Sequence, residues 1–218
     1  MLKLRVFSKR RLRDNGMDAR GGLTFWGNGD IIRARGGSAE GDKEMKLIES
    51  FSVDHTLIVP GIFVSREDKV GNDTVTTYDV RLKRPNREPV IDVAAMHSLE
   101  HIIATYLRND PVWQDEIIYW GPMGCLTGFY LILKGNRPSP EIYDLILRAF
   151  RSVQDAQDVP GATAVNCGYY RMHNLEMAKW YAAEFVYYLV KNADKKETFV
   201  YPKTDRLVTE KGQRFFDS

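Results

Sequence analysis

The sequence predicts an α+β domain in which helices pack on a largely antiparallel sheet. Segments that alternate between apolar and polar residues come in neighbouring pairs joined by tight turns, which is typical of antiparallel strands. Between the pairs lie amphipathic segments that carry their own helix-capping residues. Strands and helices follow one another without the regular alternation of a parallel sheet. A 44% hydrophobic content over 218 residues suffices for the core of one domain.

The first two strands form a predicted hairpin. Residues 57–65 form the first strand, in which Pro60-Gly61 indicates a sheet edge or a bulge. Residues 69–73 form the turn, and residues 74–82 alternate well enough for the second strand.

A helix follows. Asp92 is a good N-cap residue, and Asn109-Asp110-Pro111 closes the helix because the residue before a proline disfavours helical backbone. The apolar stripe of this helix consists of Leu99, Ile102, Ile103, Tyr106 and Leu107.

The next three segments return to the sheet. We predict a short strand over residues 117–120, a tight loop over residues 121–124 that delivers Cys125, and a strongly apolar strand over residues 126–133.

Two further helices complete the domain. Ser139-Pro140 places a cap and then a proline at a helix start, and this helix runs to about Gln154. Residues 169–172 are a candidate last strand, and Asn174 caps a final helix over residues 175–191.

The ends of the chain differ from its centre. Residues 1–44 carry ten Lys/Arg against six Asp/Glu and many glycines, and the remaining 174 residues carry 21 against 23. We interpret residues 1–44 as a disordered, low-complexity extension, residues 45–192 as the folded domain, and residues 193–218 as a C-terminal tail. We expect Met45 to be the natural start, with the extension as upstream sequence or an artefact.

Composition limits the partners and the compartment. The mildly acidic domain has no nucleic-acid-binding surface, and no apolar run approaches the length of a membrane span. The basic N-terminus lacks the apolar core of a secretory signal. We therefore expect a cytoplasmic, reducing compartment in which Cys125 and Cys167 are both available for chemistry.

The segment His97-Ser98-Leu99-Glu100-His101 indicates a metal site. On a helix, His97 and His101 lie one turn apart on one face, as two metal ligands require. Glu100 lies beside them and can move a proton without ligating. The alternative is a polar stripe on an ordinary amphipathic helix, but two of only four histidines at ligand spacing favour the metal.

A metal that performs chemistry needs about three protein ligands and an open position. Gly168 allows the backbone at Cys167 to approach another element closely, while Cys125 follows a Gly-Pro-Met-Gly loop that can present it to a pocket. Either cysteine can equally be a small buried apolar residue. The residues alone leave several third ligands open: Cys167, Cys125, Glu176, His173 and His55.

Several motifs together resemble S-ribosylhomocysteine lyase, the LuxS family. Ser50 to His55, Arg81 and Pro85-Asn86 agree with this family, and the resemblance covers roughly residues 45–191. The motifs that carry it are His97-Ser98-Leu99-Glu100-His101, Gly121-Pro122-Met123-Gly124-Cys125-Leu126-Thr127-Gly128-Phe129-Tyr130, Asn166-Cys167-Gly168 and Met172-His173-Asn174-Leu175-Glu176. Their order and spacing make the resemblance more specific than the histidine motif alone.

The resemblance implies a LuxS/metallohydrolase-like fold and a homodimer with its active sites at the interface. It implies one Fe(II) per subunit, for which zinc or cobalt can substitute, held by His97, His101 and Cys167 with water in the open position. Cys125 and Glu100 would be the acid–base pair. The residues at the family's substrate-contacting positions are Ser50, His55, Arg81 and Arg108.

Some residues have a different interpretation when the family resemblance is set aside. Arg81 alone would be a surface charge at a strand end, and His55 a capping or exposed histidine. We interpret His173 as a residue that orders the loop behind Cys167 and not as a metal ligand. Tyr119 and Gly121 stand where the family commonly has an aspartate and a serine, which changes the hydrogen bonding near Cys125.

The implied reaction cleaves the thioether of S-ribosylhomocysteine. The sugar carbonyl moves toward the sulfur by proton transfers at Cys125 and Glu100, with the metal as a Lewis acid, until β-elimination expels homocysteine. Cys125 must act as a thiolate, which a nearby cation such as Arg81 or the metal would favour. The other product, 4,5-dihydroxy-2,3-pentanedione, is the precursor of autoinducer-2 in quorum sensing, and homocysteine enters the recycling of methylation by-products (the activated methyl cycle).

Two other functions use parts of the same pattern. An inverted-motif zinc metallopeptidase would use His97, Glu100 and His101, with a carboxylate such as Glu176 as the third ligand. A non-enzymatic metal or signalling module would bind the metal without turnover. The chain is short for that class of peptidase, and the Gly-Pro-Met-Gly-Cys loop would be unexplained.

Overall fold

The computed structural model describes residues 53–203, and the expected N-terminal extension and Ser50 lie outside this range. The described part is an α+β fold, as predicted. Its strands are β1 (Gly61–Val70), β2 (Asp73–Arg81), β3 (Ile117–Pro122) and β4 (Gly128–Lys134), and its α-helices are α1 (Val93–Leu107), α2 (Tyr143–Asp155) and α3 (Leu175–Lys191).

The four strands form one antiparallel sheet in the order β1-β2-β4-β3. The predicted hairpin is confirmed, and β1 lies at the sheet edge with an irregularity between Val64 and Arg66. Pairing begins at Gly61 and not at residue 57, because Pro60 has no amide hydrogen to donate. The turn is also shorter than predicted, since Gly71 adopts a φ of 62° that allows a tight two-residue connection.

Helix α1 is the centre of the apolar core. Its fully buried side chains include Leu99, Ile103 and Leu107, which pack with α2, α3 and β3. The cap predicted at Asp92 is confirmed, because its carboxylate accepts a hydrogen bond of 2.9 Å from the Ala95 amide. Asn174 caps α3 in the same way, through the Met177 amide at 3.1 Å.

The two faces of the sheet have different neighbours. Side chains alternate along a strand, so Tyr78 and Val80 point into the core shared with the helices. Phe63, Asp79 and Arg81 belong to the opposite face, yet all three are buried. This second buried face lies next to the catalytic cysteine predicted from the sequence.

Three local predictions were wrong. Gly121 and Pro122 belong to β3, so the loop before Cys125 is shorter than expected, and β4 begins only at Gly128. Residues 139–142 form a 3₁₀ turn, and α2 begins at Tyr143. Residues 169–172 form a turn closed by the Met172 amide and the Tyr169 carbonyl, because no strand lies beside them in the described part of the chain.

The chain continues past α3 into a 3₁₀ turn at Lys196–Thr198 and an extended segment that reaches Tyr201. Thr198 is fully buried, and Phe199 packs against the core. Among residues 53–203, no helix is both long and apolar enough to cross a membrane.

Candidate metal centre and active site

Helix α1 presents two imidazoles with the same nitrogen free. His97 and His101 lie with their ring centroids 4.7 Å apart and their planes at 82°. The Nδ1 atom of His97 lies 2.8 Å from the Met172 carbonyl, and that of His101 lies 2.7 Å from the Pro160 carbonyl. A carbonyl only accepts, so both Nδ1 atoms carry the proton. Both Nε2 atoms therefore keep a lone pair for a metal.

Cys167 completes a donor set of the expected size. Its amide donates to the Thr163 carbonyl at 3.0 Å, and its Sγ lies 3.4 Å from His97 Nε2. Metal–sulfur and metal–nitrogen bonds of about 2.3 and 2.0 Å place two ligands of a tetrahedral site roughly 3.5 Å apart. The donor atoms of His97, His101, Cys167 and His173 all lie within 4.8 Å of one another. Two imidazoles and a thiolate fit a divalent ion such as Fe(II) or zinc.

His173, one of the candidate third ligands named from the sequence, lies directly against this donor set. Its ring stacks on that of His97 with centroids 4.0 Å apart and planes at 23°. The Ser98 hydroxyl donates to the Ala94 carbonyl, so it accepts from His173 Nδ1 at 3.3 Å, and His173 Nε2 lies 3.9 Å from Cys167 Sγ. Burial, together with the neighbouring His97 and His101, lowers the pKa of His173 to about 4. His173 is therefore a neutral imidazole against the donor set.

A cleft opens beside this cluster. It has a volume of about 460 Å³ and borders Gly161, Thr163, His173 and Leu175. Among the four clustered donor residues of the described chain, His173 is the one that lines this cleft.

Cys125 lies on the tight loop between β3 and β4, and it is exposed. Leu126 adopts a φ of 59°, and its amide donates to the Met123 carbonyl at 2.9 Å. The Leu126 carbonyl accepts from the Ile91 amide at 2.9 Å, which ties the loop to the residue just before the Asp92 cap. The thiol loop is thus fixed to the start of the helix that carries His97.

Arg81 is buried, and it contacts the thiol. Its Nη1 lies 3.7 Å from Cys125 Sγ and 2.5 Å from Thr127 Oγ1, and the same Sγ lies 3.1 Å from Thr127 Oγ1. On its other side Arg81 pairs with both oxygens of Asp79, at 3.0 and 2.5 Å. Burial opposes the charge, but Asp79 more than offsets it, so the pKa of Arg81 is raised. Arg81 is not the surface charge that its sequence context alone would indicate.

The other predicted site residues have different surroundings. Glu100 is half-buried on α1, and it is not one of the four clustered donors in the described range. His55 Nδ1 lies 2.8 Å from the Val53 carbonyl. Arg108 follows α1 and donates to the carbonyls of Ile118 and Ile117 at 3.0 and 3.4 Å, so its guanidinium already binds the start of β3.

Tyr119 and Gly121 prove to be spatially coupled. A Cβ atom added at Gly121 would lie 1.9 Å from the Tyr119 hydroxyl oxygen and 2.3 Å from its ring carbon Cζ. The tyrosine thus occupies the space that a larger residue at position 121 would need. The sequence shows both departures, but only the fold shows that they belong together.

The chain is similar to known proteins over most of its length. The family model described as S-Ribosylhomocysteinase (LuxS) matches residues 48–196. A Phocaeicola vulgatus protein named S-ribosylhomocysteine lyase is 50% identical over 159 residues, which are 72% of this chain and 98% of the relative. Proteins of the same name from Finegoldia magna and Borreliella burgdorferi are 48% and 47% identical, over 73% and 72% of this chain and 100% of each relative.

Proposed function

The chain belongs to the S-ribosylhomocysteinase (LuxS) family and is an S-ribosylhomocysteine lyase, and from this premise we propose how its site works. The substrate is S-ribosylhomocysteine, and the products are homocysteine and 4,5-dihydroxy-2,3-pentanedione. The reaction is carbonyl migration along the sugar followed by β-elimination. The metal ligands are His97, His101 and Cys167.

The observation that carries this proposal is the pair of fixed histidine tautomers facing a thiol. Two backbone carbonyls hold the Nδ1 protons of His97 and His101, so both Nε2 lone pairs are available without rearrangement. Cys167 Sγ supplies a soft donor at 3.4 Å from one of them. A mixed nitrogen and sulfur set of three suits one Fe(II) per subunit, with zinc or cobalt as substitutes.

His173 stays outside this ligand set in the proposal. The His173 ring lies nearly parallel to the His97 ring, with ring centroids 4.0 Å apart. Two imidazole rings that bind the same metal ion instead point away from each other, because their nitrogens occupy different coordination positions. A fourth protein ligand would also close the position that a catalytic site keeps open. His173 instead braces the His97 ring and borders the cleft.

The bound metal supplies Lewis acidity that favours negative charge on the sugar oxygens. Cys125, as a thiolate beside the Arg81 guanidinium, removes the proton next to the carbonyl and returns it to the neighbouring carbon. Glu100 carries protons to and from the sugar oxygens. After the carbonyl has moved next to the carbon β to sulfur, removal of one more proton breaks the C–S bond and expels the homocysteine thiolate.

The atoms of this reaction balance without a co-reactant. The two products together contain the atoms of the substrate, so the carbonyl shifts are isomerisations and the last step is an elimination.

The proposed substrate contacts are Ser50, His55, Arg81 and Arg108. For Arg108 this requires its bonds to Ile118 and Ile117 to open or to be shared.

We also propose a cytoplasmic homodimer with the active sites at its interface. Large apolar side chains are exposed around the Cys167 loop and along α3, which a second copy of the chain would cover. They include Val165, Tyr169, Trp180 and Tyr187. The product 4,5-dihydroxy-2,3-pentanedione would then serve as the autoinducer-2 precursor.

The metallopeptidase alternative has less support. It needs a carboxylate such as Glu176 as the third ligand, and no carboxylate is among the clustered donors of residues 53–203. The donor beside the histidines in that cluster is the Cys167 thiol.

Thiol release from S-ribosylhomocysteine tests the proposal. Anaerobic, metal-loaded protein should release free thiol, and Cys125→Ala should release none while keeping its metal, measured by elemental analysis. Cys125 is exposed, so the alanine variant should fold normally. Absence of release by wild-type protein with one metal bound per chain would contradict the lyase proposal.

A further inference from the structure

The segment after α3 reaches the buried network behind the catalytic cysteine. Tyr201 stacks on Phe63 with ring centroids 4.7 Å apart and planes at 8°. Its hydroxyl donates to Asp79 Oδ2 at 2.8 Å. Phe63 and Asp79 are paired residues on β1 and β2, so one tyrosine covers both members of a cross-strand pair.

This contact is continuous with Cys125. Asp79 Oδ2 accepts from Tyr201 and from Arg81 Nη2, and Arg81 Nη1 reaches both Thr127 and the Cys125 sulfur. The path from the tyrosine hydroxyl to the thiol therefore runs through two side chains, both almost completely buried. Buried polar chains of this kind hold their members in one arrangement.

The segment that carries Tyr201 is itself fixed. The Thr198 hydroxyl donates to the Asn192 carbonyl at 2.9 Å, and the Val200 amide donates to the Lys196 carbonyl at 3.0 Å. Phe199 meets Tyr143 edge to face, with centroids 5.8 Å apart. The part of the predicted tail that precedes residue 204 is thus a folded element, and Tyr201 lies beyond residues 48–196 that the family model matches.

We propose that Tyr201 is a positioning residue for Cys125, acting through Asp79 and Arg81. This inference rests on the proposed role of Cys125 in proton transfer. By donating to Asp79, the hydroxyl takes up part of the carboxylate charge and fixes its orientation. The Arg81 guanidinium is then held toward Cys125. Its ion pair with Asp79 is weaker than it would be if the carboxylate accepted no hydrogen bond from Tyr201.

The charges around these residues agree with that role. Burial, followed by the Asp79 charge, raises the pKa of Tyr201 well above its ordinary value, so the hydroxyl stays a donor throughout the working pH range. The Ser65 side chain also hydrogen-bonds with it. Tyr130 also faces Asp79, Arg81 and Cys125, and its pKa is likewise raised, chiefly by burial.

The test compares Tyr201→Phe with Tyr78→Phe. Phenylalanine at position 201 keeps the stack on Phe63 and removes only the hydroxyl. Tyr78 is a matched control on the same strand pair, because it is fully buried and its hydroxyl donates to the Arg137 carbonyl at 2.8 Å, away from the thiol. The readout is the rate of Cys125 alkylation by iodoacetamide in the folded, full-length, metal-loaded protein, followed by peptide mass spectrometry that separates Cys125 from Cys167.

We expect Tyr201→Phe to slow Cys125 alkylation at pH 7 by about three- to tenfold and to move its pH profile upward, since one pH unit corresponds to a factor of about ten. The turnover number should fall with KM nearly unchanged, and Tyr78→Phe should alkylate at the wild-type rate. Wild-type alkylation in Tyr201→Phe, or equal slowing in both variants, would overturn the proposal. Alkylation needs no substrate, so this result is independent of whether the lyase proposal holds.

Discussion

At the scale of single residues, the metal site depends on which nitrogen of each histidine is free. The carbonyls of Met172 and Pro160 settle this for His97 and His101, and the Ser98 hydroxyl settles it for His173. The sequence motif predicted two of these imidazoles as a pair. The sequence suggested that His173 orders the loop behind Cys167, six residues earlier, but the distance of His173 from the motif along the chain does not indicate that its ring stacks on His97.

A metal-content experiment separates a ligand from a neighbour. Cys167→Ser should lose the metal during purification, since a serine hydroxyl is a poor replacement for a thiolate. His173→Asn should retain one metal per chain, with an affinity lowered by about tenfold or more because the His97 ring loses its support. Elemental analysis and competition with a chelator measure both quantities. Loss of stoichiometry in His173→Asn equal to that in Cys167→Ser would make His173 a ligand.

A second prediction at this scale concerns the coupled pair in β3. Gly121→Ser should force the half-exposed Tyr119 ring away and lower the free energy of unfolding by about 1 kcal/mol. Tyr119→Asp combined with Gly121→Ser should recover most of that loss, because the space conflict disappears. Urea unfolding of the two single variants and the double variant gives the coupling energy. Strictly additive effects would show that the two positions are independent.

At the scale of elements, the sequence correctly predicted features that depend only on residues close together in the chain, such as helix caps. Asp92 and Asn174 fix the starts of α1 and α3 through bonds to amides three residues ahead. The ends of strands and turns were predicted wrongly where they depend on contacts with a distant segment of the chain. Residues 169–172 form a turn closed by the Met172 amide, and the Met172 carbonyl accepts from His97 Nδ1, which lies 75 positions earlier in the chain.

The cap of α1 gives a direct stability prediction. Asp92→Ala should lower the free energy of unfolding by about 1 kcal/mol, because the Ala95 amide loses its acceptor. Asp115→Ala, an exposed change of the same type, should leave it within about 0.5 kcal/mol. Denaturant unfolding measures both. Equal effects would mean that loss of negative charge, and not loss of the cap, determines the change.

At the scale of the whole molecule, function depends on segments that meet only in the fold. Arg81 reads as a surface charge in sequence, but the sheet register and the chain beyond α3 bury it together with Asp79. No local pattern indicates that Tyr201 covers this pair, because its partners lie 122 and 138 positions earlier in the chain.

The proposed homodimer is tested at the same scale. Sedimentation should give twice the mass of one chain, and Trp180→Lys on the exposed face of α3 should weaken the dimer. Glu176→Gln changes the net charge by the same single positive unit at the start of that helix, and it controls for charge alone. A monomeric wild-type protein with full lyase activity would exclude active sites shared between two subunits.

The most direct test of the central claim is to identify both products from isotopically labelled S-ribosylhomocysteine by NMR. With metal-loaded protein under anaerobic conditions, elimination predicts homocysteine and 4,5-dihydroxy-2,3-pentanedione in equal amounts, and neither with Cys125→Ala. Free ribose beside homocysteine would mean hydrolysis of the thioether. That result would contradict the carbonyl migration assigned to Cys125, Glu100 and the metal site.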